Sequence, residues 1–402
     1  MLADTLDAAA PFSPAARARV RNLTESKIRE VANAGFDVEG VAPFWFGESD
    51  QPTPDFIRAA AAAALSEGRT FYTHNMGIAV LRGAIADYVR ARRGITLGGE
   101  RVAVTSSGVS ALMLSAEALI SPGDKVAVVT PVWPNLVEIP RIMNAEVTTV
   151  PLSIKNGRWS LDLDRALSLI TPDTRALYIN SPGNPTGWVI TPEAQAALLA
   201  HCRRLGVWII ADDVYERLSY VAEDGLAPSF LSIADPEDRL ISVNSFSKAW
   251  RMTGWRLGWM VAPEPLMNDL GKLLEFNTSC APDFIQAAGV TALREGEAFV
   301  AEFRQDLKAK RDRLFAGLAR IDGVETVLAD GGMYLFLRIR GLTDSVAAAK
   351  ALIRDAKLGL APGAAFAKEG EGWLRWCFAA TNEKLDEGLR RFRNFMLRSS
   401  TK

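Results

Sequence analysis

The 402-residue sequence lacks several features that mark particular classes of protein. No apolar run reaches the roughly 18 residues that a membrane-spanning helix needs. The three cysteines, Cys202, Cys280 and Cys377, lie far apart and form no C-x-x-C pair, so we expect neither a disulfide framework nor a zinc site, only reduced thiols in the core. Forty-six basic and 47 acidic residues give a net charge of -1, which provides no electrostatic attraction for nucleic acid or an anionic membrane.

The first residues also lack the pattern of a secretory signal. Asp4 and Asp7 occur early, and no basic segment is followed by an apolar one. We therefore expect a cytoplasmic protein that acts on small molecules, with no nucleic-acid partner, no membrane partner and no metal site.

The middle of the chain has the pattern of an α/β domain. From about residue 100 to 262, short apolar runs alternate with longer amphipathic segments, as in a mainly parallel sheet whose strands are joined by helices. Helices are predicted at residues 111–119 and 192–205, with Thr191 as the N-cap of the second. The strand candidates are Val102–Thr105, Val126–Thr130, Ala176–Ile179, Trp208–Ala211, Leu240–Val243 and Leu257–Val261.

The pattern changes after about residue 285 to long charged helices, such as Glu297–Leu318, with a few strands at residues 333–339 and 374–378. A chain of this length is expected to form a large domain and a smaller one. We place the large domain at residues 46–285, and a small α+β domain at residues 1–45 together with 286–402. The N-terminal segment contains one amphipathic helix at residues 25–33 and is expected to pack on the small domain or on a partner subunit.

Residues with distinctive chemistry follow five of the predicted strands. Ligands of open α/β sheets bind beyond the carboxyl ends of the strands, so these residues are expected to lie together. After Leu240–Val243 comes Ser245-Phe246-Ser247-Lys248, with Arg256 eight positions beyond the lysine. An aldehyde-bearing phosphorylated cofactor needs these groups, because the amine forms an imine while the hydroxyls and the guanidinium hold the phosphate.

Four other strand ends carry further motifs. They are Ser106-Ser107-Gly108-Val109, Pro131-Val132-Trp133-Pro134, Asn180-Ser181-Pro182-Gly183-Asn184-Pro185-Thr186-Gly187 and Asp212-Asp213-Val214-Tyr215. Each has an ordinary structural explanation of its own, as a tight turn, a core tryptophan, a loop or a helix cap. Their order along the chain and their common location at strand ends favour a shared site instead.

Taken together, these motifs resemble the class I/II aminotransferases, which are fold-type I pyridoxal-phosphate enzymes, over roughly residues 30–395. The closest match is S-x-S-K followed by x-x-x-x-T-G-x-R-x-G, from Ser245 to Gly258. The resemblance implies a mainly parallel seven-stranded sheet flanked by helices, a smaller α+β domain, and pyridoxal 5'-phosphate as the cofactor.

The resemblance also implies roles for the motif residues. Lys248 would be the Schiff-base lysine and the base that moves the substrate proton. Asp212 would keep the pyridine nitrogen protonated, so that the ring acts as an electron sink. Tyr215 and Asn184 would donate to the ring oxygen, and Trp133 would stack on the ring.

The phosphate would be held by the residues Ser107, Gly108, Val109, Ser245, Ser247 and Arg256. Two positions depart from the family pattern. Asn180 is separated from its proline by Ser181, so no role is carried over to it. Asp213 replaces the usual glutamate, and we expect this change to matter little.

Three further residues indicate how the substrate and a partner subunit would bind. Arg375 lies within an apolar strand, where an unpaired guanidinium is costly, and it matches the arginine that binds the substrate α-carboxylate, although an internal acid could pair with it instead. Gly47 would lie against the substrate. Tyr72 matches the tyrosine that reaches the phosphate of a neighbouring subunit, which implies a homodimer with shared active sites.

The implied activity is transfer of an amino group between an L-amino acid and a 2-oxo acid by a ping-pong mechanism. A lyase that performs β-elimination on the same scaffold is one alternative. A non-catalytic ligand-sensing domain is another, less favoured because the lysine, aspartate and arginine are all present. We identify no second cation for a dicarboxylic substrate, and Phe44, Trp45 and Phe46 weakly favour neutral or aromatic side chains.

Overall fold

The computed structural model describes residue 16 and residues 18–399 of the chain. The ends of the predicted small domain, residues 1–15 and 400–402, lie outside the described residues. The strands of the described part are β1 (Ala42–Pro43), β2 (Val102–Thr105), β3 (Lys125–Thr130), β4 (Glu146–Lys155), β5 (Arg158–Leu161), β6 (Thr174–Asn180), β7 (Trp208–Asp212), β8 (Leu240–Ser245), β9 (Gly258–Val261), β10 (Val324–Thr326), β11 (Tyr334–Ile339), β12 (Leu358–Gly359), β13 (Ala361–Pro362) and β14 (Trp373–Cys377).

The α-helices of the same part are α1 (Ala18–Arg21), α2 (Lys27–Phe36), α3 (Asp55–Ser66), α4 (Ala79–Arg93), α5 (Gly108–Leu119), α6 (Asn135–Ile142), α7 (Leu163–Leu169), α8 (Pro192–Leu205), α9 (Glu264–Asn277), α10 (Asp283–Glu295), α11 (Glu297–Leu318), α12 (Ser345–Ala356) and α13 (Asn382–Ser399). Thr191 caps α8 as expected, because its hydroxyl accepts the Ala194 N–H. Helix α5 begins three residues before its predicted start because Ser107 is its N-cap. None of these helices combines the length and the apolarity needed to cross a membrane.

The large sheet has the strand order β2-β9-β8-β7-β6-β3-β4-β5. Strands β8, β7, β6, β3 and β4 pair in parallel, while β9 runs antiparallel to both of its neighbours. The sheet has one strand more than the predicted seven, because β5 folds back on the end of β4 as a hairpin. Strand β2 points the same way as the parallel strands, so the carboxyl ends of β2, β3, β6, β7 and β8 share one edge.

The central strands of this sheet, such as β3, are buried on both faces. In β3, Val126 and Val128 belong to one hydrophobic cluster, whereas Ala127 and Val129 belong to the other. Complete burial of one such valine contributes about 1.5–3 kcal/mol. The central strands are therefore packed between two apolar layers.

The smaller sheet has the order β10-β11-β14-β13 and is antiparallel. In its centre, Arg375 on β14 is paired with Phe336 on β11. The N-terminal segment joins this part of the fold, because β1 pairs with β12 and α2 packs against α12. The division into domains at residues 45/46 and 285/286 stays a prediction.

The cysteines are free thiols, as expected, but they are not all in the core. Cys202 and Cys377 are buried, and Cys280 is only partly buried. Cys280 follows the end of α9, where its sulfur lies 3.4 Å from the backbone nitrogen of Thr73 in a surface loop.

Candidate active site

A cavity of about 470 Å³ lies at the carboxyl edge of the large sheet. The predicted site residues that line it are Gly47, Gly108, Val109, Trp133, Asn184, Asp212, Tyr215, Ser245, Ser247, Lys248, Arg256 and Arg375. Of the remaining predicted residues, Ser107 directly precedes the lining residue Gly108, and Tyr72 is not part of the lining. The five strand-end motifs therefore converge on one site.

Lys248 follows β8 and is partly buried. Its Nζ donates to the carbonyl oxygen of Gly47 at 2.7 Å and lies 5.7 Å from the ring centre of Tyr215. Burial lowers the pKa of Lys248 to about 8, because a buried ammonium loses its hydration. A substantial fraction of this amine is therefore neutral, and so nucleophilic, in mildly basic solution.

Asp212 ends β7 and is 2% exposed. Its carboxylate accepts one hydrogen bond, from the Val214 N–H at 3.3 Å. No lysine, arginine or histidine nitrogen of the described residues lies within 4.0 Å of it, so burial raises the pKa of Asp212 to about 7. A buried carboxyl without a cation is a ready partner for a protonated nitrogen of a ligand.

Arg375 is 2% exposed and has no carboxylate within 4.0 Å among residues 18–399. Its guanidinium donates to Asn184 Oδ1 at 3.0 Å and to the carbonyl oxygen of Trp45, while its Nε is buried without a partner. The alternative of an internal acid is therefore wrong for the described part of the chain. A buried cation with a spare donor is suited to binding an anion.

Tyr334 is a site residue that the sequence did not reveal. Its hydroxyl lies 2.6 Å from the hydroxyl of Tyr215, and its ring lies 4.4 Å from the Arg375 guanidinium carbon. It also explains why position 47 is glycine, since a Cβ there would lie 1.8 Å from the Tyr334 oxygen. Burial raises the pKa of Tyr334 and of Tyr215, so both hydroxyls stay protonated and able to donate.

Asn180 also has a positioning role that was not predicted. Its side-chain oxygen accepts the Asn184 N–H at 2.8 Å, and its amide donates to the Asp212 carbonyl oxygen at 2.9 Å. The peptide bonds before Pro182 and Pro185 are both cis. Asn180 thus links the loop that carries Asn184 to the strand end that carries Asp212.

The far end of the cavity gathers neutral and positive donors. Helix α5 starts here, with Ser107 Oγ accepting the Ser110 N–H at 3.0 Å. The hydroxyls of Ser245 and Ser247 lie 2.9 Å apart. Arg256 has φ 54°, a left-handed conformation that is uncommon without glycine and that concentrates at ligand sites. A helix N-terminus, two hydroxyls and a guanidinium form an anion-binding end.

Tyr72 lies on the outside of the molecule, with 89% of its surface exposed. The neighbouring Phe71 is 82% exposed, and Phe276 is 89% exposed. Tyr72 therefore makes no contribution to the cavity of its own chain.

Two of the three aromatic residues suspected of contacting the substrate side chain are core residues. Phe44 and Trp45 are each 3% exposed, and neither lines the cavity, whereas Phe46 does. Helix α2 supplies further lining that was not predicted, namely Ile28 and Arg29, with the preceding Ser26. The hint of an aromatic subsite from this cluster is therefore weakened.

Comparisons with known proteins agree with this site. The family model "Aminotransferase class I and II" matches residues 44–392. An aspartate aminotransferase of Pyrococcus horikoshii is 33% identical over 376 residues, which is 93% of this chain and 95% of the relative. The aromatic-amino-acid aminotransferase 2 of Thermococcus litoralis is 31% identical over 379 residues, covering 93% of this chain and 96% of the relative.

Solved structures agree as well. Aspartate aminotransferase from Thermus thermophilus with maleate superposes with a TM-score of 0.86 at 30% identity, covering 95% of this chain and all of the other. Alanine aminotransferase from Pyrococcus furiosus gives a TM-score of 0.89 at 26% identity over 96% of this chain and 100% of that one. The chain belongs to the class I and II aminotransferases and is a transaminase, an enzyme of a family that uses pyridoxal phosphate.

Proposed function

From this family membership, we propose that the 470 Å³ cavity holds pyridoxal 5'-phosphate and is where the amino group passes between an L-amino acid and a 2-oxo acid. The observation that carries the proposal is a set of three ionisable groups in one cavity, none of which has an ion-pair partner among the described residues. Lys248 is an amine with a lowered pKa, Asp212 is a buried carboxyl without a cation, and Arg375 is a buried cation without an anion.

The lining offers a suitable group for each part of the cofactor. The anion-binding end would hold the phosphate through Ser107, Gly108, Val109, Ser245, Ser247 and Arg256. Asp212 would face the pyridine nitrogen, and the cation there would lower the carboxyl pKa again and keep it ionised. Tyr215 and Asn184 would donate to the ring oxygen, and Trp133 would cover the ring.

When bound, the cofactor supplies an electron sink for the carbanion formed at the substrate α-carbon. Arg375 would hold the substrate α-carboxylate, with Asn184 fixing one of its Nη atoms. Lys248 Nζ would take the α-proton and later return it, and a pKa of about 8 suits both steps near neutral pH. Tyr334 would keep Tyr215 and Arg375 in fixed orientations.

We also infer a cytoplasmic homodimer with shared active sites. The exposed Phe71, Tyr72 and Phe276 support an interface on this face, since each has more than four-fifths of its surface in water, more than the other large apolar side chains of the described residues. Tyr72 would then reach the phosphate in the partner subunit.

The lyase alternative is not favoured, because the relatives described above are named aminotransferases. The names of the similar proteins described above include acidic, aromatic and alanine donors. A carbon–sulfur lyase would release ammonia into solution, whereas an aminotransferase keeps the amino group on the cofactor.

Spectra of the holoenzyme test the proposal. A visible cofactor band is expected to disappear when an amino acid donor is added and to return with a 2-oxo acid, without ammonia in solution. A band that stays unchanged while ammonia and a 2-oxo acid accumulate would support the lyase. Absence of any band after incubation with pyridoxal phosphate would overturn the proposal.

A further inference from the structure

One cation in the lining of the cavity has no ion-pair partner among the described residues and no role in the proposed reaction. The charged lining residues are Arg29, Lys248, Arg256, Arg375 and Asp212, so four cations face one carboxyl. Three of the cations are accounted for by the phosphate, the α-carboxylate and the α-proton. Arg29 remains.

Arg29 lies in the first turn of α2, a segment far in sequence from the strand-end motifs. Its guanidinium carbon lies 4.8 Å from the ring centre of Phe46, and no carboxylate of the described residues lies within 4.0 Å of it. The guanidinium thus lies over an aromatic ring, and its N–H groups make no hydrogen bond to the described residues; the side chain is exposed at the mouth of the cavity.

Three consecutive residues place Arg29 close to Arg375 and Lys248. The carbonyl oxygen of Trp45 accepts from Arg375, the ring of Phe46 lies against Arg29, and the carbonyl oxygen of Gly47 accepts from Lys248. Because consecutive Cα atoms are about 3.8 Å apart, all three cations are anchored within two peptide units. A donor whose α-carboxylate lies on Arg375 and whose α-proton faces Lys248 therefore has a third cation close by.

We propose that Arg29 is a second carboxylate-binding residue, and that the enzyme prefers amino donors with a carboxylate on the side chain, aspartate or glutamate. This inference rests on the proposed function of the cavity. The guanidinium fork would take the side-chain carboxylate through paired N–H···O bonds, and the hydroxyl of Ser26, also in the lining, is available beside it. An aromatic donor would leave this charge unpaired.

The test compares donors in Arg29→Gln, Arg29→Lys and the unchanged holoenzyme. Arg29→Gln is expected to lower kcat/KM for the preferred dicarboxylic donor by about 10- to 100-fold, since a hydrogen bond to a charged group is lost. The corresponding loss for alanine and phenylalanine is expected to be about threefold or less. Arg29→Lys should fall between, because it keeps the charge but not the fork.

Lys27→Gln is the matched control. Lys27 lies two residues before Arg29 on the same helix but is absent from the lining of this cavity, so its loss is expected to leave the donor preference unchanged. A preference that changes equally in Lys27→Gln and Arg29→Gln would overturn the proposal, because it would reflect the overall charge of α2. An equal loss with all donors in Arg29→Gln would also overturn it.

Calorimetric titration with succinate and propionate separates this proposal from the proposed function. Succinate carries two carboxylates and propionate one, and neither has an amino group to react. Arg29→Gln is expected to weaken succinate binding by about tenfold or more and propionate binding little. If amino acids convert the cofactor but succinate binds no better than propionate, the second subsite is wrong and the function stands. If no amino acid converts the cofactor, the function is wrong, and the succinate titration still decides the subsite.

Discussion

The floor and the walls of the cavity are built in different ways. The floor comes from the ends of adjacent strands in one sheet, and its groups, such as Asp212 and Lys248, are fixed by the strands that precede them. The walls come from segments far apart in sequence, and long-range contacts position them. The Gly47 carbonyl oxygen accepts from Lys248, and Tyr334 contacts both Tyr215 and Arg375. In the proposed function, the floor would hold the cofactor, and the walls would bind and orient the substrate.

This comparison predicts the largest effect for the floor lysine. Lys248→Ala removes both the cofactor attachment point and the proton carrier, so turnover is expected to fall by more than about 10⁴-fold. The measurement is the steady-state rate with an amino acid donor and a 2-oxo acid acceptor. Lys272→Ala, on the exposed face of α9, is the control and should keep normal turnover. Normal turnover of Lys248→Ala would show that the floor is misassigned.

The second prediction contrasts two adjacent carboxyls. Asp212 lines the cavity, whereas Asp213 is buried behind it and accepts from Ser229 and Ser242 at 2.9 and 2.7 Å. Asp212→Asn is expected to lower kcat by about 10²–10⁴-fold, because the ring nitrogen loses its counter-charge. Asp213→Asn should lower kcat by about tenfold at most. Equal losses in the two variants would contradict the assignment.

The third prediction concerns the wall. Arg375→Lys keeps a charge but loses the paired donors, so KM for the amino acid is expected to rise by about 10- to 100-fold with a smaller change in kcat. Arg311→Lys serves as the control, since Arg311 is also buried against a tyrosine ring, that of Tyr220, but lies outside the cavity. A change confined to kcat would mean that Arg375 acts on the chemistry and not on binding.

The fourth prediction follows from the lowered pKa of Lys248. The neutral amine is the reactive form, and with a pKa of about 8 roughly one tenth is neutral at pH 7. The rate at which the apoenzyme takes up pyridoxal phosphate should therefore rise about tenfold per pH unit below pH 8 and level off above it. Stopped-flow absorbance measures this rate. A rate that keeps rising to pH 10 would indicate an unshifted lysine.

The smallest effect is expected for a single hydroxyl in the wall. Tyr334→Phe removes the oxygen that lies 2.6 Å from Tyr215 but keeps the ring beneath Arg375, so kcat/KM should fall about 3- to 10-fold. Tyr220→Phe, which removes another buried hydroxyl away from the cavity, is the control for stability. If both variants lose the same activity, Tyr334 has only a structural role.

The different origins of the floor and the walls determine how much of the site the sequence could predict. The five strand-end motifs were found because each follows directly from an apolar run, and parallel strands bring their carboxyl ends to one edge. Arg375 was found because a charge within an apolar strand is anomalous. Tyr334 gave no such signal, since a tyrosine is an ordinary strand residue.

Contacts over long sequence separations account for what was missed. Lys248 and Gly47 are 201 residues apart, and Tyr215 and Tyr334 are 119 residues apart, so no local pattern links either pair. Arg29, which we propose as a carboxylate-binding residue, gave no signal for a different reason. A charged residue near a helix start is usually a solvated one. Asn180 was passed over because its motif departs from the family pattern, although its two hydrogen bonds serve the same site.

The most direct test of the account is to locate the cofactor on the chain. Holoenzyme treated with borohydride, which fixes the cofactor to the amine that carries it, would be digested and its peptides identified by mass spectrometry. The account predicts that the cofactor is found on Lys248 and that Lys248→Ala carries none. Attachment to a different lysine, or none in the unchanged protein after incubation with pyridoxal phosphate, would contradict it.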